Sequence, residues 1–447
     1  MPDHAVSAHP GVQAQLDRLW SLSPGADVLG LERITRLLAR LGDPHHHLAP
    51  VFHVAGTNGK GSTCAFLRAM LEAAGHRVHV YTSPHLVRFN ERIRLAGTLI
   101  DDDALAALLS EVLDAGGDLG ASFFEVTTAA AFLAFSRVPA DACVIEVGLG
   151  GRLDATNVLA SPVACGIAAL GIDHEAFLLA EEAGTPKAPL DRIGFEKAGI
   201  AKPGVPLVIQ AYPPSVIATI EAVAAEREAP IVARGSDWDV AGSGDILVYT
   251  DANGRLDLPL PRLPGAHQTA NAGLAVAILR RQEVLRIPEA AFAEGMTSAA
   301  WPARLQRLSP GPLTVPLPPG VAVWLDGGHN PSAGEAIAHA LPHIAGERLA
   351  VVLGMLANKD AAGFLAPFAG SIKTLIAVPV SSHVYHAPQS LAELASSLGV
   401  ARTGEADAFD TALADLARAE EPPSTVLIAG SLYLAGEVLR ANDEPPD

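Results

Sequence analysis

Cysteine, positive charge and long apolar runs are all scarce in this sequence of 447 residues. Its three cysteines, Cys64, Cys143 and Cys165, follow no zinc-ligand spacing, and an odd, sparse set argues against a disulfide framework. Lys and Arg total 31 against 49 Asp and Glu, which gives a net charge of −18 without any basic run. We therefore expect neither a nucleic-acid partner nor an anionic membrane partner.

The apolar segments are too short to act as membrane or targeting signals. No run of about 18 uninterrupted apolar residues is present, and the N-terminal residues lack the apolar region of a signal peptide. We expect no membrane span and a cytoplasmic location, where the cysteines stay reduced.

Hydrophobic residues make up 49% of the chain and charged residues 18%, which is typical of a globular protein. The length predicts two domains. In the first half, short apolar strands alternate with segments of helical spacing, such as 62–74. This alternation predicts a mostly parallel sheet covered on both faces. The predicted strands are 51–55, 77–81, 142–147 and 163–167.

The segment 204–262 has a different pattern, with short strands among turn residues. Its predicted strands, 205–209, 246–249 and 256–258, indicate a small antiparallel subregion. A helix is predicted to follow from residue 268 to 281.

A stretch dense in proline and glycine, 309–320, follows a predicted domain joint near residues 299–302. Apolar strands and helices alternate again after this stretch. We therefore predict an N-terminal domain over 1–299 and a C-terminal domain over 300–447. The predicted fold class is α/β, with a mostly parallel sheet in the larger domain and a smaller, Rossmann-like α/β domain.

The sharpest motif lies between residues 53 and 63, where a strand leads into a glycine-rich loop, Lys60 and the start of a helix. Such a loop points backbone N–H groups at phosphate oxygens, and the helix N-terminus adds partial positive charge. The usual P-loop pattern fails, because Val54 stands where a glycine is expected and Gly61 separates Lys60 from a hydroxyl residue. The alternative is a glycine-rich turn at a sheet edge.

Three polar residues follow three different predicted strands. They are Ser83, Glu146 and His174, and together they form a candidate Mg²⁺ site at the carboxyl edge of the sheet. Each also has a structural alternative. Ser83 can belong to a Ser-Pro turn, Glu146 can pair with Arg152, and a lone histidine is more often structural.

Two further segments carry titratable side chains. Lys197 lies in a Gly-Phe-Glu-Lys-Ala-Gly segment that chemistry alone does not single out. The run 45–47 contains three histidines and is interpreted as a solvated loop, since a metal role requires a carboxylate or a further histidine at ligand spacing.

Taken together, these motifs resemble the folylpolyglutamate synthase/dihydrofolate synthase family, a branch of the Mur-ligase superfamily. The resemblance begins at Leu29 and reaches the end of the chain. The most specific segments are 56–62, 83–86, 146–157 and 196–200.

The resemblance implies that the first domain is a P-loop-type ATPase domain. It also implies an ATP site, two Mg²⁺ ions and a modified lysine. Lys197 matches a lysine that CO₂ converts to a carbamate, and Ser83, Glu146 and His174 match metal ligands. Lys60, Lys197 and His329 match the catalytic groups. The residues that match the ATP site are Gly56, Thr57, Asn58, Gly59, Lys60, Gly61, Ser62, His267, Gln268, Asn271, Arg304 and Asp326.

The resemblance also implies sites for a folate-type acceptor and for L-glutamate. His329 and Ser431 match positions near the incoming glutamate. Val28 stands where relatives can carry an acidic residue, with Asp27 one place earlier. The residues that match the pteroate site are Val28, Leu29, Gly30, Leu31, Ser122, Phe123, Phe124, Glu125, Leu153, Asp154 and Ala155.

The implied activity is ATP-dependent addition of L-glutamate to 7,8-dihydropteroate and to reduced folates through an acyl phosphate, by a monomer. The alternatives are folylpolyglutamate synthesis alone, a Mur-type ligase of cell-wall precursors, and a nucleotide-binding switch without ligase activity. One departure is the spacing of His174 and Lys197, which is wider than in the family and predicts an enlarged loop around 179–189.

Overall fold

A computed structural model describes residues 5–22 and 29–447 of the chain. The chain divides into two compact units. Unit 1 comprises Met1–Arg262, Gln268–Ala300 and Asp447, and unit 2 comprises Leu263–His267 and Trp301–Pro446. Each unit has a hydrophobic core of its own.

The α-helices of the described residues alternate with strands along most of the chain. They are α1 (Pro10–Leu22), α2 (Glu32–Arg40), α3 (Lys60–Ala73), α4 (Asp102–Gly116), α5 (Phe123–Arg137), α6 (Glu175–Leu178), α7 (Pro189–Ala198), α8 (Pro214–Glu226), α9 (Ala266–Arg280), α10 (Glu289–Ser298), α11 (Pro331–Ile344), α12 (Ala361–Leu365), α13 (Pro388–Ser397), α14 (Phe409–Arg418) and α15 (Leu432–Ala441). Short 3₁₀ helices span Pro44–His47, Phe89–Arg92, Ala155–Val158 and Ala369–Ser371.

The strands of the described residues form three sheets. They are β1 (Val51–Ala55), β2 (Val78–Tyr81), β3 (Ile93–Leu95), β4 (Thr98–Leu99), β5 (Ala142–Glu146), β6 (Ala164–Ile167), β7 (Leu207–Ile209), β8 (Ile231–Ala233), β9 (Trp238–Ser243), β10 (Ile246–Asp251), β11 (Gly254–Pro259), β12 (Gln306–Arg307), β13 (Ala322–Leu325), β14 (Leu349–Leu353), β15 (Ile372–Ala377), β16 (Arg402–Glu405) and β17 (Thr425–Ala429).

The main sheet of unit 1 has the order β4-β3-β2-β5-β1-β6-β7-β8 and is parallel except for β3 and β4. Strands β1 and β5 are buried at every position, as expected when helices cover both faces of a sheet. Because β1 lies between β5 and β6, the loops that follow these three strands meet at one edge. That edge is where ligands bind in open parallel sheets.

The antiparallel prediction for 204–262 was partly wrong. Strand β7 pairs in parallel with β6 and β8, so it extends the main sheet. Its short apolar sequence gives no sign of which strands flank it. Strands β9, β10 and β11 do form a separate antiparallel sheet.

Unit 2 contains a sheet with the order β12-β13-β17-β14-β15-β16, which is parallel except for the edge strand β12. Strands β14 and β17 are fully buried at its centre. The predicted α/β fold class with two sheets of this kind is confirmed. None of the helices in residues 5–22 and 29–447 is long and apolar enough to cross a bilayer.

Candidate active site

The glycine-rich loop after β1 leads directly into α3, which begins at Lys60. Gly59 has a left-handed backbone with φ of 84°, and a Cβ atom there would collide with the Asn271 side chain. Glycine is therefore required on both conformational and steric grounds. The predicted order of strand, loop, lysine and helix is confirmed.

Lys60 and the loop backbone are held by specific hydrogen bonds. Lys60 Nζ donates to the carbonyl oxygens of Gly56 at 3.0 Å and Thr57 at 3.3 Å. The Thr57 hydroxyl donates to the Gly171 carbonyl at 2.8 Å, and the N–H groups of Thr57 and Asn58 donate to Ala169. The segment that follows the neighbouring strand β6 thus holds the glycine-rich loop, called the phosphate-type loop below, in place.

Helix α9 supplies two amide side chains to the same loop within unit 1. Gln268 Nε2 donates to the Ser62 hydroxyl at 3.2 Å, and Asn271 Nδ2 donates to Gln268 Oε1 at 3.0 Å. Both side chains are buried. The structure therefore brings Gln268 and Asn271 to the start of α3, whereas His267 belongs to unit 2.

Glu146 ends β5, and the residue is 4% exposed. Its carboxylate accepts the Ser83 N–H at 3.4 Å, so two of the three candidate Mg²⁺ ligands are in contact. His174 is exposed at the start of α6, three residues after the Gly171 carbonyl that binds Thr57. Arg152 pairs with Glu182 and Glu196.

Lys197 lies near the end of α7 and is 3% exposed. Burial, together with the nearby charge of Lys60, lowers its pKa from 10.5 to about 7. Asp173, Asp154 and Glu196 act in the opposite direction. Gly151, in the loop after β5, packs against the Lys197 backbone, which places Lys197 beside that loop.

Asp154 is buried beneath the loop that follows β5. Its Oδ2 accepts the Leu149 N–H at 2.8 Å, and its Oδ1 accepts the Thr156 hydroxyl at 2.5 Å. Since that hydroxyl donates to Asp154, the contact of 2.8 Å between Thr156 Oγ1 and His53 Nε2 requires His53 to donate. Burial lowers the pKa of His53 to about 3, so its ring is neutral. A buried chain of hydrogen bonds thus runs from β1 to Asp154.

The predicted pteroate segment forms the start of α5, where it makes a capping box. Ser122 caps α5, accepting the Glu125 N–H at 3.2 Å, while Glu125 Oε2 accepts the Ser122 N–H at 2.7 Å. The same Oε2 binds Arg33 Nε at 2.9 Å, which ties α2 to α5. Glu125 Oε1 is buried and has no hydrogen-bond partner among the described residues.

Close packing brings this segment to the loop after β5. A Cβ atom at Gly148 would collide with the ring of Phe124, so the two backbones approach where only glycine fits. Phe123 stacks with Trp20 at a centroid distance of 5.2 Å. The other predicted substrate residues lie at the start of α2 and next to Asp154. Leu29 and Gly30 precede α2, Leu31 is its N-cap, and Leu153 and Ala155 flank Asp154. Val28 lies outside the described residues.

In unit 2, Asp326 follows β13 and organises its surroundings through the backbone. Its two oxygens accept the N–H groups of Leu305 at 2.8 Å and Gly328 at 2.7 Å. Arg304 is half-buried beside Leu305, and its guanidinium donates to the Ala303 carbonyl. His329 Nδ1 lies 2.9 Å from the Gly327 carbonyl, which can only accept, so Nδ1 carries the proton in the neutral ring.

Two helices begin next to each other after adjacent strands of unit 2. Asn330 caps α11 after β13, and Ser431 caps α15 after β17, with its hydroxyl accepting the Tyr433 N–H at 3.1 Å. Because β13 and β17 are paired, both helix N-termini lie at one edge of the sheet. A Cβ atom at Gly327 would collide with Leu432, which confirms that the two segments touch.

Sequence reasoning missed three residues that shape these sites: Arg33, His53 and Thr156. Each acts through a partner distant in sequence, as with Arg33 and Glu125 or His53 and Thr156. The Ser-Phe-Phe-Glu sequence at 122–125 has the capping-box spacing, and this spacing could have revealed the structural use of Glu125.

Comparison with known proteins agrees with this arrangement. The family described as "Mur ligase, glutamate ligase domain" matches residues 314–432. The dihydrofolate synthase/folylpolyglutamate synthase of Escherichia coli is 36% identical over 93% of this chain and 92% of its own length. The solved structure of E. coli FolC in complex with DHPP and ADP has a TM-score of 0.85, at 33% identity and 98% coverage of both chains.

A second solved structure is a bifunctional folylpolyglutamate synthase/dihydrofolate synthase with Mn, AMPPNP and L-glutamate bound. Its TM-score is 0.82 at 31% identity, and the match covers 98% of this chain and 99% of that one. A phosphate-type loop on a parallel sheet, followed by a glutamate ligase unit, defines the Mur-ligase class of proteins. Within that class, the chain belongs to the dihydrofolate synthase/folylpolyglutamate synthase family.

Proposed function

We propose that this protein uses ATP to join L-glutamate to 7,8-dihydropteroate and to reduced folates. The observation that carries the proposal is the placement of three residues at the carboxyl edge of the main sheet of unit 1. Lys60 begins the helix after β1, Glu146 ends the adjacent strand β5, and Lys197 packs against Gly151 in the loop after β5. A nucleotide switch has no need of a buried lysine with a pKa near 7 beside three carboxylates. Two relatives of this chain, one of them from Escherichia coli, are named for both activities.

The reaction requires activation, because a carboxylate and an amine do not condense unaided in water. The acceptor carboxylate attacks the γ-phosphorus of ATP, the bond to the β,γ-bridging oxygen breaks, and ADP leaves. The glutamate amine then attacks the acyl phosphate, forms the amide, and releases phosphate and a proton. The N–H groups at the start of α3 and the Lys60 side chain stabilise the charge that develops on the phosphoryl oxygens.

Glu146 and Ser83 suit a magnesium ion, because carboxylate and hydroxyl oxygens are the ligands that this ion prefers. Glu146 is also a carboxylate buried at the end of a parallel strand, and a buried charge needs a partner. His174 completes the proposed ligand set. When bound, Mg²⁺ neutralises phosphate charge. One relative was solved with Mn and AMPPNP.

Lys197 is proposed to react with CO₂ and to help hold a second Mg²⁺. At a pKa of about 7, roughly half of the side chain is a neutral amine at neutral pH, which is the nucleophilic form. Its nitrogen forms a bond to the carbon of CO₂ and releases one proton, which gives an anionic carbamate. With ¹³C-labelled bicarbonate, NMR should show one carbamate resonance that is absent in Lys197→Ala, and a spectrum without that difference would refute the modification.

The acceptor is proposed to bind along the segment 122–125 and the loop after β5. Glu125 Oε1 is a buried acceptor without a donor among the described residues, so a ring N–H of a pterin fits its chemistry. Asp154 is the second buried carboxylate of this region. Arg33 and the Ser122 cap hold the other oxygen of Glu125 and thereby orient Oε1.

Glutamate is proposed to bind at the edge of the unit 2 sheet where α11 and α15 begin. Two helix N-termini at adjacent strands form an anion site suited to carboxylates. Ser431 uses its oxygen as a cap acceptor, so its hydroxyl proton can still be donated to a ligand. His329 directly precedes Asn330, the N-cap of α11, and its Nδ1 lies 2.9 Å from the Gly327 carbonyl.

The test measures ADP release with Mg²⁺, ATP and L-glutamate, with 7,8-dihydropteroate or a reduced folate as acceptor. Turnover with both acceptors is expected, and Lys60→Ala should reduce it by about 10²- to 10³-fold or more while circular dichroism stays unchanged. Lys60→Arg is the charge-preserving control. Turnover with the folate alone would restrict the protein to chain extension, and turnover with neither would refute the proposal.

A further inference from the structure

The sequence between α2 and β1 folds into a tight turn that gathers possible metal ligands. Asp43 has a left-handed backbone with φ of 54°, and its carbonyl accepts the His46 N–H at 3.0 Å. Asp43 N–H in turn donates to the Leu38 carbonyl at 2.8 Å and closes the end of α2. The 3₁₀ helix Pro44–His47 packs on α5, and Pro44 is buried. The turn is thus fixed to the unit 1 core.

This turn places three ligand atoms together, one each from Asp43, His45 and His46. All three lie within 4.8 Å of one another. The rings of His45 and His46 lie 4.0 Å apart between centroids. The sequence prediction of a solvated loop rested on the lack of an accompanying carboxylate, and the structure supplies one from Asp43.

A second observation points to a ligand at this position. His45 Nδ1 is buried, and no described residue offers it a hydrogen bond. Buried ring nitrogens are normally satisfied, because an unpaired polar atom away from water costs free energy. A histidine with an unpaired ring nitrogen beside a second histidine and a carboxylate is a typical environment for metal coordination.

We propose that Asp43, His45 and His46 form a binding site for a divalent transition-metal ion of the Zn²⁺ type. Two imidazoles and one carboxylate match the ligands of such ions, whereas Mg²⁺ prefers a shell of oxygens. Tetrahedral Zn²⁺ holds its ligands roughly 3.3 Å apart, so small side-chain rotations close the site. His46 is exposed, which makes such rotations inexpensive. The fourth position remains open to water.

This site differs in chemistry from the proposed Mg²⁺ site at Glu146 and Ser83, and it does not depend on the proposed ligase function. Its members come from a single turn, so binding needs no rearrangement of the sheet. The neighbouring His47 provides a matched control, because it is an exposed histidine in the same turn that is not one of the three clustered ligands.

The experiment titrates the full, tag-free chain with Zn²⁺ in competition with a chromophoric chelator and in the presence of excess Mg²⁺. Co²⁺ absorption in the visible range reports the coordination geometry. His45→Ala and His46→Ala should each lose one tightly bound equivalent, and His47→Ala should retain it. Asp43→Asn, which tolerates the left-handed backbone, should weaken binding by at least about tenfold.

Two results would overturn the proposal. If His47→Ala lost as much binding as His46→Ala, the metal would be held by nonspecific surface imidazoles. If His46→Ala retained the tight equivalent, the three residues would not be the ligands. Circular dichroism and thermal unfolding check that each variant is folded. Since His46 is exposed, its variant decides the matter even if His45→Ala is destabilised.

Discussion

Lys60 and Lys197 bring two amino groups to one edge of the unit 1 sheet. Lys60 forms hydrogen bonds with loop carbonyls, whereas Lys197 is buried among carboxylates. The charge of Lys60 is one cause of the lowered pKa of Lys197. The two lysines therefore have different proposed roles. Lys60 binds the phosphate groups, and Lys197 reacts with CO₂ as a neutral amine.

The pKa of Lys197 makes stability depend on pH. Because the folded-state pKa of about 7 lies below the ordinary 10.5, the unfolded chain binds more protons between these values. The free energy of unfolding contributed by this residue therefore rises with pH across that window. Lys197→Met should stabilise the fold most at or below about pH 7 and least near pH 10.

Urea unfolding in CO₂-free buffers at several pH values measures this effect. Lys187→Met is the control, since Lys187 is exposed. A gain for Lys197→Met that is the same at every pH would contradict the lowered pKa.

At the scale of elements, the antiparallel sheet of unit 1 is anchored to α9 by a buried ion pair. The side chain of Asp251 is fully buried, and both of its oxygens accept from Arg280, at 2.7 and 2.8 Å. Helix α9 also carries Gln268 and Asn271 to the phosphate-type loop. The hairpin thereby supports a helix that shapes the candidate ATP site.

Asp251→Asn should destabilise the protein by on the order of 3 kcal/mol, because it removes the fully buried carboxylate that neutralises the largely buried Arg280. Asp257→Asn in the same hairpin removes an exposed pair with Arg255 and should cost no more than about 1 kcal/mol. Denaturant unfolding compares the two variants. Equal losses would show that burial of the Asp251 pair is irrelevant.

The segment 179–188 is tied to α7 by a network of charges. Glu182 accepts from Arg152 at 2.5 Å and from Arg192 at 2.8 Å, and both arginines also bind Glu196, the neighbour of Lys197. Arg152 N–H binds the Glu196 carbonyl at 2.7 Å as well. The segment 179–188 therefore contributes to holding the end of α7.

Glu182→Gln should loosen this loop with little loss of global stability. Its side chain is 44% exposed, so solvent screening limits the cost to about 1 kcal/mol or less. Hydrogen exchange of amides in 179–188 should become faster. Glu181→Gln, an adjacent exposed change outside this network, is the control, and similar exchange in both variants would refute a specific role for Glu182.

Local patterns predicted the strands and the phosphate-type loop well. Strand β1 matches its predicted bounds, because a short apolar run that ends in glycine is a purely local pattern. Strand β7 was assigned to the wrong sheet, since its partners β6 and β8 are set by distant segments. The hydrogen bonds that connect His53 to Asp154 were not predictable for the same reason, since their partners are far apart in sequence. The roles of Lys197 and His329 rest on family resemblance, and the burial of Lys197 became visible only in the fold.

At the scale of the whole molecule, a net charge of −18 opposes the approach of ATP and folates, which are themselves anions. Salt screens this repulsion, since the Debye length falls to about 10 Å at 0.1 M. We expect kcat/KM for ATP to rise by about twofold or more between low and moderate ionic strength.

Steady-state kinetics with tetramethylammonium chloride at constant K⁺ separates screening from any specific cation effect. Sucrose at matched osmolarity is the control. A steady fall in kcat/KM with salt would mean that local positive charge at the site outweighs the charge of the whole protein.

The central position of β1 also determines when the main sheet can assemble during synthesis. About 110 residues separate the end of β1 from the start of β6, and Ala169, whose carbonyl anchors the glycine-rich loop, is added later still. At ribosomal speeds of about 5–20 residues per second, β1 waits roughly 5 to 20 seconds for its second neighbour. During this interval the nascent chain exposes one edge of an apolar strand. The glycine-rich loop gains its hydrogen bonds to Ala169 only afterwards.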